Sequence, residues 1–177
     1  MSHTNQSYYL RSGLVLYPTQ QRAIEKLLNN LVHQIAARFI LLADVSGQVI
    51  STRGEQDKID VVSLGSLVAG DLAASHEIAR LTRQFQADQM VFREGKSINT
   101  FTCEAGYHFA LLVQAPTKTP LGWARMAIRK TAGELAAIAT TPAPEPKQTD
   151  TPMPELALQQ HDLPDLFNDA LDDLWLE

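Results

Sequence analysis

Three strand-like runs, Gln89–Glu94, Ser97–Cys103 and His108–Ala115, follow one another with nothing longer than a turn between them. Gly95-Lys96 and Ala105-Gly106 supply those turns. Parallel neighbours would need a crossover of about a dozen residues or more, so these runs must pair antiparallel. A sheet built this way has to bury at least one face, and the rest of the chain must supply the cover.

Two further strands come earlier. Arg38–Asp44 (RFILLAD) has strand composition, Asp44-Val45-Ser46-Gly47 has turn chemistry, and Gln48–Thr52 (QVIST) resumes as a strand. Arg53–Lys58 is a polar loop. Three helices are predicted as cover. Pro18 and Thr19 mark the start of the first, with Thr19 as N-cap and Ile24, Leu27, Leu28, Leu31 and Ile35 as its apolar face. Asp60 caps the second, which runs to about Gln84. Thr119-Pro120 opens the third, with Leu121, Ala124, Ile128, Leu135 and Ile138 on its apolar side and Arg125, Arg129 and Lys130 elsewhere. The order α-β-β-α-β-β-β-α describes an α+β domain: a five-stranded antiparallel sheet with flanking helices. Gly13–Tyr17 (GLVLY) precedes it as a short strand or edge arm.

The second helix has an unusual pattern. Leu64, Leu67, Val68, Leu72 and Ile78 are expected to face a core. A second stripe carries Ser63, Ser66, Gly70, Ala73, Ala74 and Glu77, almost all small. Gly70 inside a helix costs about 1 kcal/mol relative to Ala. Small residues let another backbone come close. The stripe therefore fits either a packing partner or the chain's own sheet.

At 177 residues and 45% hydrophobic, the chain suits one compact domain with an extension. Thr140–Pro154 holds five prolines in fifteen residues and reads as an extended linker. Beyond it, Leu163, Leu166, Phe167, Ala170, Leu171, Leu174 and Trp175 follow helical spacing, with aspartates on the other face. The expected organisation is a flexible N-terminus over 1–13, a domain over 14–139, a Pro-rich linker over 140–161 and an acidic amphipathic tail helix over 162–177. From residue 140 onward, nine acidic residues stand against Lys147 alone, a net −8; the remainder, with fourteen basic and eleven acidic residues, carries +3. An acidic arm repels nucleic acid and anionic lipid, so neither is expected as a partner.

A single cysteine, Cys103, excludes an internal disulfide and speaks against a zinc cluster. Met1–Tyr9 is polar and lacks a signal-peptide pattern. No apolar run comes near the roughly 20 residues that a membrane span needs. The expected location is the cytoplasm.

Searches for catalytic chemistry give little. Glu94-Gly95-Lys96-Ser97 resembles the end of a phosphate loop, but the required earlier glycine is Met90. His76-Glu77 begins like a zinc-protease helix, yet the second histidine position is Arg80. His3, His33, His76, His108 and His161 fall in different elements without ligand spacing. There is no Gly-x-Ser-x-Gly and no Gly-x-Gly. Cys103 lies mid-strand with no neighbouring base in the sequence, and Asp172-Asp173 sit on a solvated helix face. No cofactor and no catalytic residue are expected.

Ser63–Ala74 (SLGSLVAGDLAA), read with Leu42-Ala43-Asp44-Val45-Ser46-Gly47, resembles the roadblock/dynein-light-chain family. Phe92-Arg93-Glu94-Gly95 resembles that family's strand ending in Glu-Gly. Leu121-Gly122 with Ala124-Arg125 resembles the start of its third helix, and Gly133-Glu134-Leu135 the close. The similarity covers residues 14–139. Within the family, MglB-like bacterial regulators share the short apolar arm, here Leu14-Val15-Leu16-Tyr17, and a Pro-rich linker ending in an acidic segment similar to Leu163–Glu177.

The resemblance implies a homodimer whose sheets join edge to edge, with the two second helices side by side. It implies a helical platform of Ser63, Ser66, Gly70, Ala73 and Glu77 that binds a Ras-like small GTPase of the MglA type. Such an activator stimulates GTP hydrolysis by reshaping the GTPase's own switch regions, with no arginine finger. Relatives often carry a small residue at the position of Glu77, so a charge there bears on docking and on the choice of GTPase. The tail residues Leu163, Leu166, Phe167, Leu171, Leu174 and Trp175 resemble a segment that in some relatives contacts a second GTPase surface. The alternatives are a roadblock-type scaffold that holds a complex without stimulating hydrolysis, and an enzyme whose site is not local in sequence.

Overall fold

The computed structural model of the chain describes residues 7–57, 59–84 and 89–140. Among them are seven strands and three helices: β1 (Tyr8–Tyr9), β2 (Val15–Leu16), α1 (Pro18–Ile35), β3 (Phe39–Asp44), β4 (Val49–Gly54), α2 (Val61–Leu81), β5 (Met90–Arg93), β6 (Ile98–Ala105), β7 (Phe109–Pro116) and α3 (Leu121–Thr140). The expected α-β-β-α-β-β-β-α order is present, and the five strands β3–β7 form one antiparallel sheet in the order β4-β3-β7-β6-β5.

The sheet is buried unequally. β3 and β7 lie inside the sheet, and every residue of β3 is buried, the apolar run Phe39–Ala43 and the terminal Asp44 alike. Strand alternation then sorts the side chains. Ile40, Leu42, Phe101, Cys103, Phe109, Leu111 and Val113 point to one face and meet Ile24, Leu28, Leu31 and Ile35 of α1 and Ala124, Ile128 and Leu135 of α3. Phe39, Leu41, Ala43, Ala110 and Leu112 point to the other and meet Val68 and Leu72 of α2. Among the described residues two helices therefore cover one face and α2 covers the other. A helix is about 10–12 Å across and strands are about 4.8 Å apart. One helix cannot cover a five-stranded face, and α2 keeps a long side of its own in solvent.

Several details depart from the sequence-based expectations. The first helix starts at Pro18 with Tyr17 as its cap residue, not at Thr19. Proline is preorganised for the first helical position, where no N–H is required. The Tyr17 amide donates to Gln20 Oε1 at 2.9 Å, and Gln20 Nε2 donates to the Ile138 carbonyl at 2.8 Å, tying α1 to α3. The Thr119 hydroxyl, just ahead of α3, donates to the Ile35 carbonyl at 3.1 Å, and Trp123 Nε1 donates to the Gln34 carbonyl at 3.2 Å, so both close the end of α1. Leu121, expected on the apolar side, is exposed.

The described residues also include a short hairpin before the first helix. Tyr8–Tyr9 pairs antiparallel with Val15–Leu16, and Leu10 and Leu16 are buried in the α1/α3 core. The β3–β4 turn fastens this small hairpin to the domain. Asp44 is 0% exposed. Its Oδ1 accepts from the Ser46 amide at 2.9 Å, the Ser46 hydroxyl at 2.6 Å and the Gln48 amide at 2.8 Å, while Oδ2 accepts from the Ser12 amide at 3.1 Å. Gln48 Oε1 accepts from the Arg11 amide at 2.8 Å.

Candidate functional site

Helix α2 begins where the sequence places it. Asp60 Oδ1 accepts from the amides of Val62 and Ser63, at 3.2 and 3.1 Å, and satisfies two of the helix's unpaired donors. Its seating depends on two glycines. Gly65 is buried, and a Cβ there would lie 2.5 Å from the Gly47 carbonyl oxygen and 2.9 Å from Val49 Cγ2. Gly47, with φ +86°, would bring its own Cβ within 2.7 Å of Ser66 Cα. The β3–β4 turn and the first turns of α2 therefore touch backbone to backbone.

Sequence reasoning singled out Gly70 and passed over Gly65, although Gly65 stands three and seven residues before Val68 and Leu72 on the buried face. Gly65→Ala is expected to destabilise the domain by about 1–3 kcal/mol, because two backbones must separate to admit a methyl group. Thermal or urea unfolding checks this; unchanged stability would show that the contact yields without cost.

The five platform positions come together. Ser63, Ser66, Gly70, Ala73 and Glu77 are all exposed along the outward side of α2, and beyond its own stretch of helix no described atom lies within 4 Å of a Cβ built on Gly70. The two serine hydroxyls are engaged with their own helix end: Ser63 Oγ donates to Asp60 Oδ2 at 2.6 Å, and Ser66 Oγ to the Val62 carbonyl at 3.4 Å. The surface they leave is small and only weakly polar. Glu77 is the exception. Its carboxylate accepts two hydrogen bonds from Arg80, at 2.8 and 2.5 Å, and that guanidinium holds the Glu77 carboxyl below its ordinary range.

Two residues assigned to the core lie beside this stripe instead. Leu67 is 68% exposed and Ile78 is 62% exposed. Val62 and Leu81 are also exposed. Helical periodicity identifies apolar positions but not how wide a strip the sheet will cover. Here the buried strip is narrow, with Gly65, Val68, Leu72 and Ala79. The bare stripe is thus flanked by large apolar side chains in solvent.

The motifs with catalytic resemblance fall elsewhere and apart. Gly95 sits in the β5–β6 turn, where its amide donates to Asn99 Oδ1 at 3.3 Å and a Cβ would collide with the Ile98 carbonyl oxygen. His76 Nε2 lies 3.3 Å from Glu104 Oε2 and joins α2 to β6. Cys103 is buried in β6, on the face opposite α2. Among the described residues no group of three or more His, Cys, Asp or Glu side chains could hold a metal ion, and no helix is long and apolar enough to cross a membrane. An open hollow of about 600 Å³ at one end of the sheet carries Arg38, Glu55 and Lys118, the first two paired at 2.6 Å. The tail residues Leu163, Leu166, Phe167, Leu171, Leu174 and Trp175, like His3 and His161, lie outside the described residues.

No family model matches the chain, and no curated protein matches it. Solved structures do. Myxococcus xanthus MglB is 32% identical, with 66% of this chain and 94% of that one covered and a TM-score of 0.62. An MglB solved in a tetrameric arrangement is 27% identical, with 71% and 94% covered and a TM-score of 0.64. A roadblock/LC7 domain from Streptomyces avermitilis, 19% identical with 66% and 97% covered and a TM-score of 0.58, shares the fold.

Proposed function

The chain belongs to the roadblock family, on its MglB-like side, and we propose from that premise that it is a dimeric, non-catalytic regulator of an MglA-type Ras-like small GTPase. The observation that carries the proposal is the outward side of α2. Ser63, Ser66, Gly70 and Ala73 leave it bare, and Val62, Leu67, Ile78 and Leu81 frame it with apolar surface. A face of this kind accepts a close-packed protein surface and offers a substrate no reactive group. Regulation would act through the GTPase's own switch regions. Glu77 and Arg80 add one neutralised ionic feature by which the face can select its GTPase.

Self-association is the second part of the proposal. Two α2 helices can lie side by side over a continuous sheet if two copies join at a sheet edge. β5 is the better edge. Met90, Val91 and Phe92 are half-buried there and apolar on both faces, whereas β4 offers Ser51, Thr52 and an Arg53 engaged with Glu25 and Asn29 of α1. The related MglB in a tetrameric arrangement supports self-association as such. A cytoplasmic location, and contact of the tail residues with a second GTPase surface, complete the reading.

The test is single-turnover GTP hydrolysis by an MglA-type GTPase of the same organism, with and without the full chain. Hydrolysis is expected to rise by about tenfold or more, well short of the factor that an arginine finger supplies. Binding that favours the GTP form with unchanged hydrolysis would leave the scaffold alternative. Equal indifference to both nucleotide forms would remove the GTPase from the account.

A further inference from the structure

The β5 edge and the α2 face are joined by one side-chain fork. Arg93 is the last residue of β5, and Asp71 lies midway along α2 on the flank that carries Leu67 and Ile78. Arg93 Nη1 donates to Asp71 Oδ2 at 2.9 Å and Nη2 to Oδ1 at 2.5 Å, a bidentate pairing of guanidinium and carboxylate. The pair spans an open groove of about 250 Å³ whose walls include Leu64, Leu67, Thr100 and Gln114. Helix α2 packs mainly on β3, β7, β6 and β4, and this fork carries its hold out to β5.

β5 needs such a hold. It has four residues and is hydrogen-bonded on one side, to β6. A short edge strand with one ladder frays readily. A loose arginine on an edge also opposes strand-to-strand association, since charge at an edge is a common means of blocking it. Tied to Asp71, the Arg93 guanidinium is drawn over the α2 side of the sheet, away from the line of edge amides and carbonyls, and its charge is met.

We propose that the Asp71–Arg93 fork is a positioning link that holds β5 ready for a second copy of this chain and sets that edge relative to the α2 face, so that dimer formation and platform geometry are coupled. The inference rests on the reading that two copies join at β5. The gain comes from preorganisation: an edge already ordered and cleared of free charge loses less on association.

The experiment is a dilution series of the full chain by sedimentation, with thermal unfolding as the control on folding. Asp71→Asn leaves Arg93 charged and released, and is expected to raise the dimer dissociation constant by about tenfold, or about 1.4 kcal/mol. Adding Arg93→Gln to it removes the stray charge and should recover part of that loss. The exchanged pair, Asp71→Arg with Arg93→Asp, should return the constant to within about threefold of the original, the coupling a double-mutant cycle reads. All variants should keep the original unfolding midpoint within a few degrees. A dimer indifferent to Asp71→Asn, or an exchanged pair no better than the single variants, overturns the link while leaving dimerisation at β5 intact. A wild-type chain that stays monomeric at every concentration overturns both.

Discussion

Gly70→Arg is expected to abolish GTPase docking, and with it any stimulation of hydrolysis, in a protein that folds as well as the original. Gly70 is exposed at the centre of the outward side of α2, and a Cβ built there meets no described atom within 4 Å beyond its own stretch of helix. The fold has nothing to lose at that point, and glycine is among the poorest residues within a helix. Arginine should stabilise α2 by up to about 1 kcal/mol. Docking has much to lose. A helix packs against its neighbour at about 8–10 Å between axes, and a long charged side chain in mid-contact prevents that approach. A loss of about 100-fold or more in affinity, about 2.7 kcal/mol, is expected from the steric block and from burying an unpaired charge. Circular dichroism and sedimentation should show an intact fold, and titration with the GTP-loaded GTPase should show lost binding. Loss of helical signal would instead make Gly70 a packing residue.

The second large effect concerns Asp44. Asp44→Ala removes one carboxylate that organises the β3–β4 turn through Ser46 and Gln48 and grips the N-terminal hairpin through Ser12. It leaves several donors without their acceptor in a site where Asp44 had no exposure. A cost of about 2–4 kcal/mol is expected. The same turn seats α2 through Gly47 against Gly65 and Ser66, so the start of the platform should loosen as well. Denaturant unfolding measures the first effect, and hydrogen exchange over residues 61–66 the second.

Asp44 also sets a pH dependence. Burial pushes its carboxyl up, but the hydrogen bonds from Ser46, Gln48 and Ser12 together outweigh burial and hold it below its ordinary value of 3.8. The carboxylate is therefore better stabilised in the folded chain than in the unfolded one. Its contribution is complete above about pH 4 and is lost as pH falls through the lower, folded value. Asp44→Asn should flatten that acid limb and leave the pH dependence near neutrality unchanged.

Much of this architecture was legible because turns are punctuated by chemistry. Gly95 and Gly106 bound strands whose pairing could only be antiparallel, and Asp60 capped a helix in the place its side chain dictated. The cover was harder to read. Leu67 and Ile78 have the apolar character of a core, but burial depends on the width of the sheet strip beneath the helix, a property set by all five strands together. Gly65 was hidden by the same limit: a glycine records that something comes close, not what. Tyr8–Tyr9 fell below any periodic signal because a two-residue strand has no period, and its anchoring depends on Asp44 and Gln48, more than thirty residues away in sequence. Of the candidate face, the small outward stripe is written in the sequence, while the apolar frame around it and the fork from Asp71 to Arg93 depend on how α2 seats across the strands.

The most direct test of the α2 face is thiol labelling of Ser66→Cys and Ala73→Cys in the full chain. The native Cys103 is 3% exposed and gives a low background. Both engineered thiols should react freely in the unbound chain and be shielded by an excess of GTP-loaded MglA-type GTPase, far less by its GDP form. Labelling at an unchanged rate while the GTPase is demonstrably bound would place the contact on another surface and contradict the role given to this helix.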